Sequence, residues 1–145
     1  MWTSCATQPI ALLKSVFNNN WKLVNLGDIL KTGAGGTPLK SKKKYYEGGK
    51  INWLKSGAVC KKDITSSKTF ITQEGLNNSS AKLFPKNTVL VAMYGATAAQ
   101  VGILRFESST NQAVCGIYPS NKYIPEFLFY FIASIKNELL KQATG

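Results

Sequence analysis

Histidine is missing from this 145-residue chain, and acidic residues are scarce: seven Asp and Glu stand against eighteen Lys and Arg. Both shortages narrow the chemistry. With no imidazole in the chain, Cys60 and Cys115 lack the partner that usually turns a thiol into a nucleophile at neutral pH. No acid has a lysine two positions later, so the acid-x-lysine triplet of magnesium nucleases is absent too. The three cysteines, Cys5, Cys60 and Cys115, are odd in number and far apart, which argues against a disulfide framework or a zinc site and predicts buried thiols. No apolar run approaches the roughly 20 residues that span a bilayer. The opening stretch MWTSCATQPIALLKSVF has no basic start and only a short apolar run, Ile10 to Leu13. It makes a poor secretion signal, and the expected location is the cytoplasm.

Glycine is present, but not in a nucleotide-binding pattern. In Gly33-Ala34-Gly35-Gly36-Thr37-Pro38 a proline stands where a dinucleotide loop needs its third glycine, and no lysine follows the last glycine as a Walker loop requires. The segment reads instead as a tight turn. Neither a catalytic group nor a cofactor nor a metal is expected.

What the chain has in excess is positive charge. The formal net charge is +11, and Lys40, Lys42, Lys43, Lys44, Lys50, Lys55, Lys61, Lys62 and Lys68 lie within 29 residues that hold two acids, Glu47 and Asp63. A surplus of this kind speaks of partners rather than of fold. Nucleic acid is the first candidate, an acidic membrane surface or acidic protein the second, and a solvated face that keeps the chain soluble the plain alternative. Lysines would hold phosphates, and polar groups on loops would read base edges. The candidate contacts are Lys40, Ser41, Lys42, Lys43, Lys44, Tyr45, Lys50, Lys55, Ser56, Lys61, Lys62, Tyr94, Thr97 and Gln100, with Tyr46 and Asn52 as further readers. Trp53 reads as core, Tyr45 and Tyr46 are open between core and reader, and Asn111 with Gln112 read as satisfying backbone groups.

At this length one domain is expected, burying about two thirds of its unfolded surface. Residues 1–20 read as a leader or connecting segment ending in Asn18-Asn19-Asn20, and the folded unit begins at Trp21. Strands are expected at 22–24, 50–55, 69–72, 88–94, 100–106 and 110–118, with a five-residue hairpin loop over 95–99. Helical turns are expected at 26–30 and at 73–77, the second capped by Thr72. A final helix from Pro125 to about Gln142 carries apolar residues around most of its circumference.

The ordered set Trp21, Leu26-Gly27-Asp28-Ile29, Gly35-Gly36-Thr37-Pro38, Ile51-Asn52-Trp53-Leu54, the run Ile71 to Pro85, Val89-Leu90-Val91, Tyr94-Gly95-Ala96-Thr97, Val101-Gly102-Ile103 and Thr110-Asn111-Gln112-Ala113 resembles the target recognition domain of type I restriction-modification specificity subunits. The resemblance covers residues 21–145. It implies an α/β fold with a twisted, largely antiparallel sheet, short helices and a C-terminal helix. It further implies a sequence-specific, non-catalytic DNA-binding module for a methyltransferase and endonuclease complex. The implied partners are double-stranded DNA, the methyltransferase and restriction subunits, and a second half-subunit or a second copy of the chain.

A complete subunit of that family carries two such domains separated by long helices packed as an antiparallel coiled coil. Residues 21–145 correspond to one domain, and the spacer helix is missing. The family often shows glycine and lysine where Ala99 and Gln100 stand here. The rival expectations are a basic module that docks on RNA or an acidic protein, and a non-functional remnant of a specificity subunit.

Overall fold

The computed structural model describes residues 22–143, and the chain divides into two compact units, Met1–Leu30 and Lys31–Gly145. In the first unit a short helix, α1 (Leu26–Ile29), follows Asn25. The expected strand at 22–24 does not form: Lys22, Leu23 and Val24 are exposed and extend no sheet. The expected leader at 1–20 and the start at Trp21 lie outside the described residues, as does Cys5.

The second unit holds two sheets. Among the described residues nine strands form in chain order: β1 (Thr32–Ala34), β2 (Ile51–Leu54), β3 (Asp63–Ile64), β4 (Phe70–Ile71), β5 (Leu83–Phe84), β6 (Val89–Ala92), β7 (Val101–Leu104), β8 (Ser108–Thr110) and β9 (Val114–Ile117). One sheet runs β1-β9-β6-β7-β3 and the other β4-β2-β8-β5. Two pairings, β2 with β8 and β3 with β7, are parallel, and the rest are antiparallel. The α/β class stands, with the single expected sheet resolved into two.

The apolar run at 88–94 becomes the central strand of the five-stranded sheet. Val89 and Leu90 are fully buried, as a strand covered on both faces requires. Leu54, Val59, Ile64, Phe84, Leu90, Leu104 and Val114 form one core cluster drawn from both sheets. Phe84 of β5 reaches β9, where its ring carbon lies 2.5 Å from the place a Cβ would take on Gly116. A larger residue at 116 would expel that ring.

Gly35 and Gly36 join the two sheets. The Gly35 N–H donates to the Val114 carbonyl of β9 (3.1 Å), and the Gly36 N–H to the Thr110 carbonyl of β8 (2.8 Å). Buried Trp53 donates its indole N–H to the Gly36 carbonyl (3.0 Å). Gly36 packs on the main chain of Ser80 and Ala81 with no room for a methyl group. Neither glycine has a positive φ. The expected tight turn is therefore a close backbone approach between layers, with Gly33 inside β1.

Thr72 caps α2 (Gln73–Asn77) as expected, its hydroxyl accepting the Gly75 N–H at 3.1 Å. The expected strand at 110–118 breaks in two: Ser108–Thr110 belongs to one sheet and Val114–Ile117 to the other. The C-terminal helix also divides, into α3 (Pro125–Ser134) and α4 (Lys136–Ala143). At the junction the Ser134 hydroxyl donates back to the Phe131 carbonyl (2.7 Å), a local bond that competes with the helix ladder. Leu128 and Ile132 of α3 are buried, but Phe127 is 53% exposed, so the apolar circumference is only partly covered.

Arg105, just past β7, gathers three segments. Its Nε donates to Asp63 (2.6 Å), one terminal nitrogen to Glu126 at the start of α3 (2.7 Å), and the other to Asn87 (3.1 Å). The hydrogen bond from Arg105 holds the Glu126 carboxyl below its ordinary range. A carboxylate whose pKa is depressed by folding adds stability above its unfolded pKa, and that stability is lost as pH falls through the folded value. Glu126→Gln should therefore lower the melting temperature at neutral pH, and the two proteins should converge on acidification. A gap that persists in acid would separate the Glu126 effect from its charge.

Candidate nucleic-acid interface

The lysine-rich segment folds as a turn against α2, whose cap Thr72 donates its N–H to the Tyr45 carbonyl (2.9 Å) and its hydroxyl to the Lys44 carbonyl (2.9 Å). The Lys42 N–H closes on the Leu39 carbonyl (3.0 Å), and a 3-10 turn, Lys43–Tyr45, follows. Lys40, Ser41, Lys42, Lys43 and Lys44 are all exposed. Two of them have protein partners. Lys44 pairs with Glu74 of α2 at 2.5 Å, and that contact raises its pKa. Lys42 donates to the Tyr45 hydroxyl (3.2 Å) and lies 5.2 Å from the ring centroid.

Tyr45 is buried, so its ring is core, with Lys42 at its hydroxyl and Lys42 and Lys44 over the ring at 5.2 and 5.9 Å. Tyr46 is half-buried, donates its hydroxyl to the Pro38 carbonyl and meets the Trp53 ring edge-on at 6.0 Å. Trp53 is 3% exposed and packs as core. Lys50 and Lys55 flank β2 and are exposed, and Ser56 is half-buried in the 3-10 turn Ser56–Ala58. Asn52 is committed elsewhere, donating to the Glu107 carbonyl (3.1 Å).

Beside β2 lies an open groove of about 630 Å³ lined by Lys40, Lys55, Lys68, Tyr46, Trp53 and Phe70, with Gly48 and Gly49 supplying bare backbone. Among the described residues, Lys40, Lys55 and Lys68 have no carboxylate within ion-pair distance. Phe70 was not among the expected contacts. Its signal in the sequence was weak, a lone aromatic in a two-residue strand. Lys68 stood in the lysine cluster without being singled out.

The other expected residues attach to the five-stranded sheet. Lys61 is exposed and Lys62 half-buried, beside β3. Lys62 donates to the Tyr130 hydroxyl of α3 (3.0 Å) and lies 4.8 Å from its ring centroid, a contact that raises its pKa. Tyr94, Thr97 and Gln100 sit on the loop between β6 and β7, where Gly95–Thr97 makes a 3-10 turn. Tyr94 is 49% exposed, Gly95 and Ala96 are exposed, and Thr97 and Gln100 are half-buried. The loop is presented outward. The expected contact residues thus fall into three groups: the lysine turn with its groove, the Lys61–Lys62 edge, and the 94–100 loop.

That loop closes on a bulge. The Ala99 N–H donates to the Ala92 carbonyl (2.8 Å), and the Ala92 N–H to the Gln100 carbonyl (2.9 Å), so two residues oppose one. Ala99 takes φ 59°, the left-handed region that glycine adopts without strain. Ala99→Gly should therefore stabilise the chain by up to about 1 kcal/mol, read as a raised denaturation midpoint. A clear loss would mean that packing of the buried methyl outweighs the backbone strain.

Gln112 does not serve the backbone as expected: its side-chain oxygen accepts from the Thr37 hydroxyl. Asn111 works through its main chain, its N–H donating to the Leu54 carbonyl at 2.9 Å. Cys60 is exposed rather than buried, and Cys115 is half-buried with its thiol pKa raised by burial. No cluster of His, Cys, Asp and Glu suited to a metal occurs among the described residues. Among them, too, no helix is long and apolar enough to cross a membrane.

A family model described as the type I restriction modification DNA specificity domain matches residues 18–145. The specificity subunit of the type I restriction enzyme EcoR124I/EcoR124II from Escherichia coli is 28% identical over 126 residues, covering 85% of this chain and 31% of that subunit. The specificity subunit of the type I restriction enzyme MjaIX from Methanocaldococcus jannaschii is 29% identical over 130 residues, 87% of this chain and 30% of its own length. The chain spans about a third of the length of these curated relatives. Among solved structures, the HsdS subunit from Thermoanaerobacter tengcongensis shares the fold with a TM-score of 0.66 at 15% identity, over 86% of this chain and 32% of that one. With the family model matching residues 18–145, nearly the whole sequence, the chain belongs to the type I restriction modification DNA specificity domain family.

Proposed function

We infer that residues 21–145 form one target recognition domain, which reads a DNA half-site and lends its specificity to a type I methyltransferase and restriction complex in the cytoplasm. The domain supplies no catalytic group, and base flipping and methyl transfer belong to the methyltransferase partner. A second half-subunit or a second copy of the chain provides the other half-site. The observation that carries this reading is the turn at 40–44. It exposes Lys40, Ser41, Lys42, Lys43 and Lys44 beside Lys55 and Lys68, which have no carboxylate in ion-pair reach among the described residues, in a chain of the specificity family. The lysines supply the sequence-independent attraction to phosphate, and the outward 94–100 loop supplies polar groups for base edges.

Competition tests the reading. The chain should hold a preferred duplex against excess random DNA. A module that docks on RNA or an acidic protein would lose every duplex equally. Gln100 is the sharpest candidate reader, because a glutamine can pair bidentately with adenine and its main chain is pinned by Thr97 (3.0 Å) and Ala92 (2.9 Å). Gln100→Ala should change the preference at one base position, at a cost of about 1 to 3 kcal/mol on the preferred duplex alone. Equal losses on preferred and scrambled duplexes would remove it from base reading.

A further inference from the structure

The groove beside β2 has the size of a ligand cleft. Its volume of about 630 Å³ falls inside the ~300–1,000 Å³ range of clefts that enclose a small molecule. A duplex, by contrast, is read by elements that protrude into a major groove about 12 Å wide. A concavity receives something that projects from the nucleic acid. Base faces in a duplex are covered by their neighbours, so a projecting part with a free face is an unstacked nucleotide.

The walls have the matching chemistry. Phe70, on edge strand β4, is 42% exposed and lines the groove, an aromatic side chain of the kind on which bases stack. Lys40, Lys55 and Lys68 stand around it with no carboxylate in ion-pair reach among the described residues. Gly48, at φ +70°, has nothing within 4 Å of the place a Cβ would take, so a ligand can approach bare backbone there.

Hydrogen bonds fix both stretches of the lining. The Trp53 N–H donates to the Thr69 carbonyl (2.9 Å), and the Thr69 hydroxyl donates to the Trp53 carbonyl, which sets Lys68 and Phe70 against β2. The Gly49 N–H donates to the Tyr46 carbonyl (3.0 Å), and the Tyr46 hydroxyl donates to the carbonyl of Pro38, two residues before Lys40.

We propose that this groove binds an unstacked nucleotide of single-stranded or locally opened DNA, with Phe70 stacking on the base and Lys40, Lys55 and Lys68 holding the flanking phosphates. The site rests on the DNA reading above for the identity of its polymer, and is separate from base reading by the 94–100 loop. Stacking on one aromatic ring tolerates any base, so the groove contributes affinity for opened DNA rather than sequence preference.

Anisotropy of a labelled short oligothymidylate, titrated with the full chain, tests it, with the preferred duplex as second probe. Phe70→Leu keeps the apolar contact and removes the aromatic face. It should weaken oligothymidylate binding by about 5- to 150-fold, while Phe70→Trp retains it. Changing Lys40, Lys55 and Lys68 together to glutamine should lower the log-log salt slope by roughly 2 on the single strand. Matching melting temperatures show that the variants fold. If Phe70→Leu binds oligothymidylate as the unaltered chain does, the groove proposal fails. It fails equally if the unaltered chain binds the duplex and not the oligothymidylate, and the duplex reading then stands. Absence of any preferred duplex, with Phe70-dependent oligothymidylate binding intact, overturns the duplex reading and leaves the groove.

Discussion

Gly36→Ala is expected to destabilise the domain by about 3 kcal/mol or more, a large share of the ~5–15 kcal/mol that holds a domain of this size together. The added methyl would overlap the Ser80 carbonyl carbon and the Ala81 nitrogen, which are main-chain atoms that cannot turn aside as a side chain would. Relief requires the backbone to move. Movement would then strain two bonds made by the same residue, its N–H to Thr110 (2.8 Å) and its carbonyl from the Trp53 indole (3.0 Å). Because those bonds belong to the junction between the sheets, the damage should extend to both. Gly57→Ala is the control: nothing lies within 4 Å of the position of its Cβ, and its φ is not left-handed. It should be neutral or slightly stabilising, since alanine restricts the unfolded chain. Chemical denaturation of the two variants decides the matter. Equal midpoints would mean that Gly36 is not a seam between layers.

Neutralising Lys42, Lys43 and Lys44 together should weaken binding to every duplex sequence alike and lower the slope of log affinity against log salt by roughly 2. Three free phosphate contacts would lower it by about 2.7 at 0.9 each. The smaller figure follows from the partners. Lys44 already faces Glu74 at 2.5 Å, so part of its charge is spoken for before DNA arrives. Lys43 has no such partner among the described residues, and Lys42 meets only a neutral phenol and its ring. Single substitutions should rank accordingly, with Lys43→Gln changing the slope more than Lys44→Gln. An unchanged slope in the triple variant would take this turn out of the interface.

The parts of the fold that could be read from the sequence are those whose causes are local. A continuous apolar run made β6, a threonine before a short helical stretch made the cap at Thr72, and proline at a first helical position opened α3. The errors arise where partners distant in sequence decide. Residues 110–118 look like one strand, yet Asn111 turns the chain, accepting the Val114 N–H at 3.2 Å, so that Ser108–Thr110 and Val114–Ile117 join different sheets. Strands β1, β3 and β5 are two or three residues long and exist only through pairing, with too few residues to show a period. The glycines at 35 and 36 announced themselves, but not their purpose, which lies in the approach of residues 80–81 and 110–114.

The candidate interface was legible as charge and illegible as geometry. Nine lysines in 29 residues pointed to a polyanion, but only the fold separates Lys62, laid on the Tyr130 ring, from Lys40, Lys55 and Lys68 around the groove. Tyr45 illustrates the same limit. It sits one position from Tyr46 and next to three lysines, yet it is buried while its neighbour lines the groove.

That this domain chooses a DNA sequence is tested most directly by selection of bound duplexes from a randomised pool, by the chain alone and with a methyltransferase partner. A short motif of a few base pairs should be enriched in both arms, more sharply with the partner, and should shift at one position in Gln100→Ala. Recovery of unenriched duplexes in both arms, with binding that merely weakens as salt rises, would contradict it.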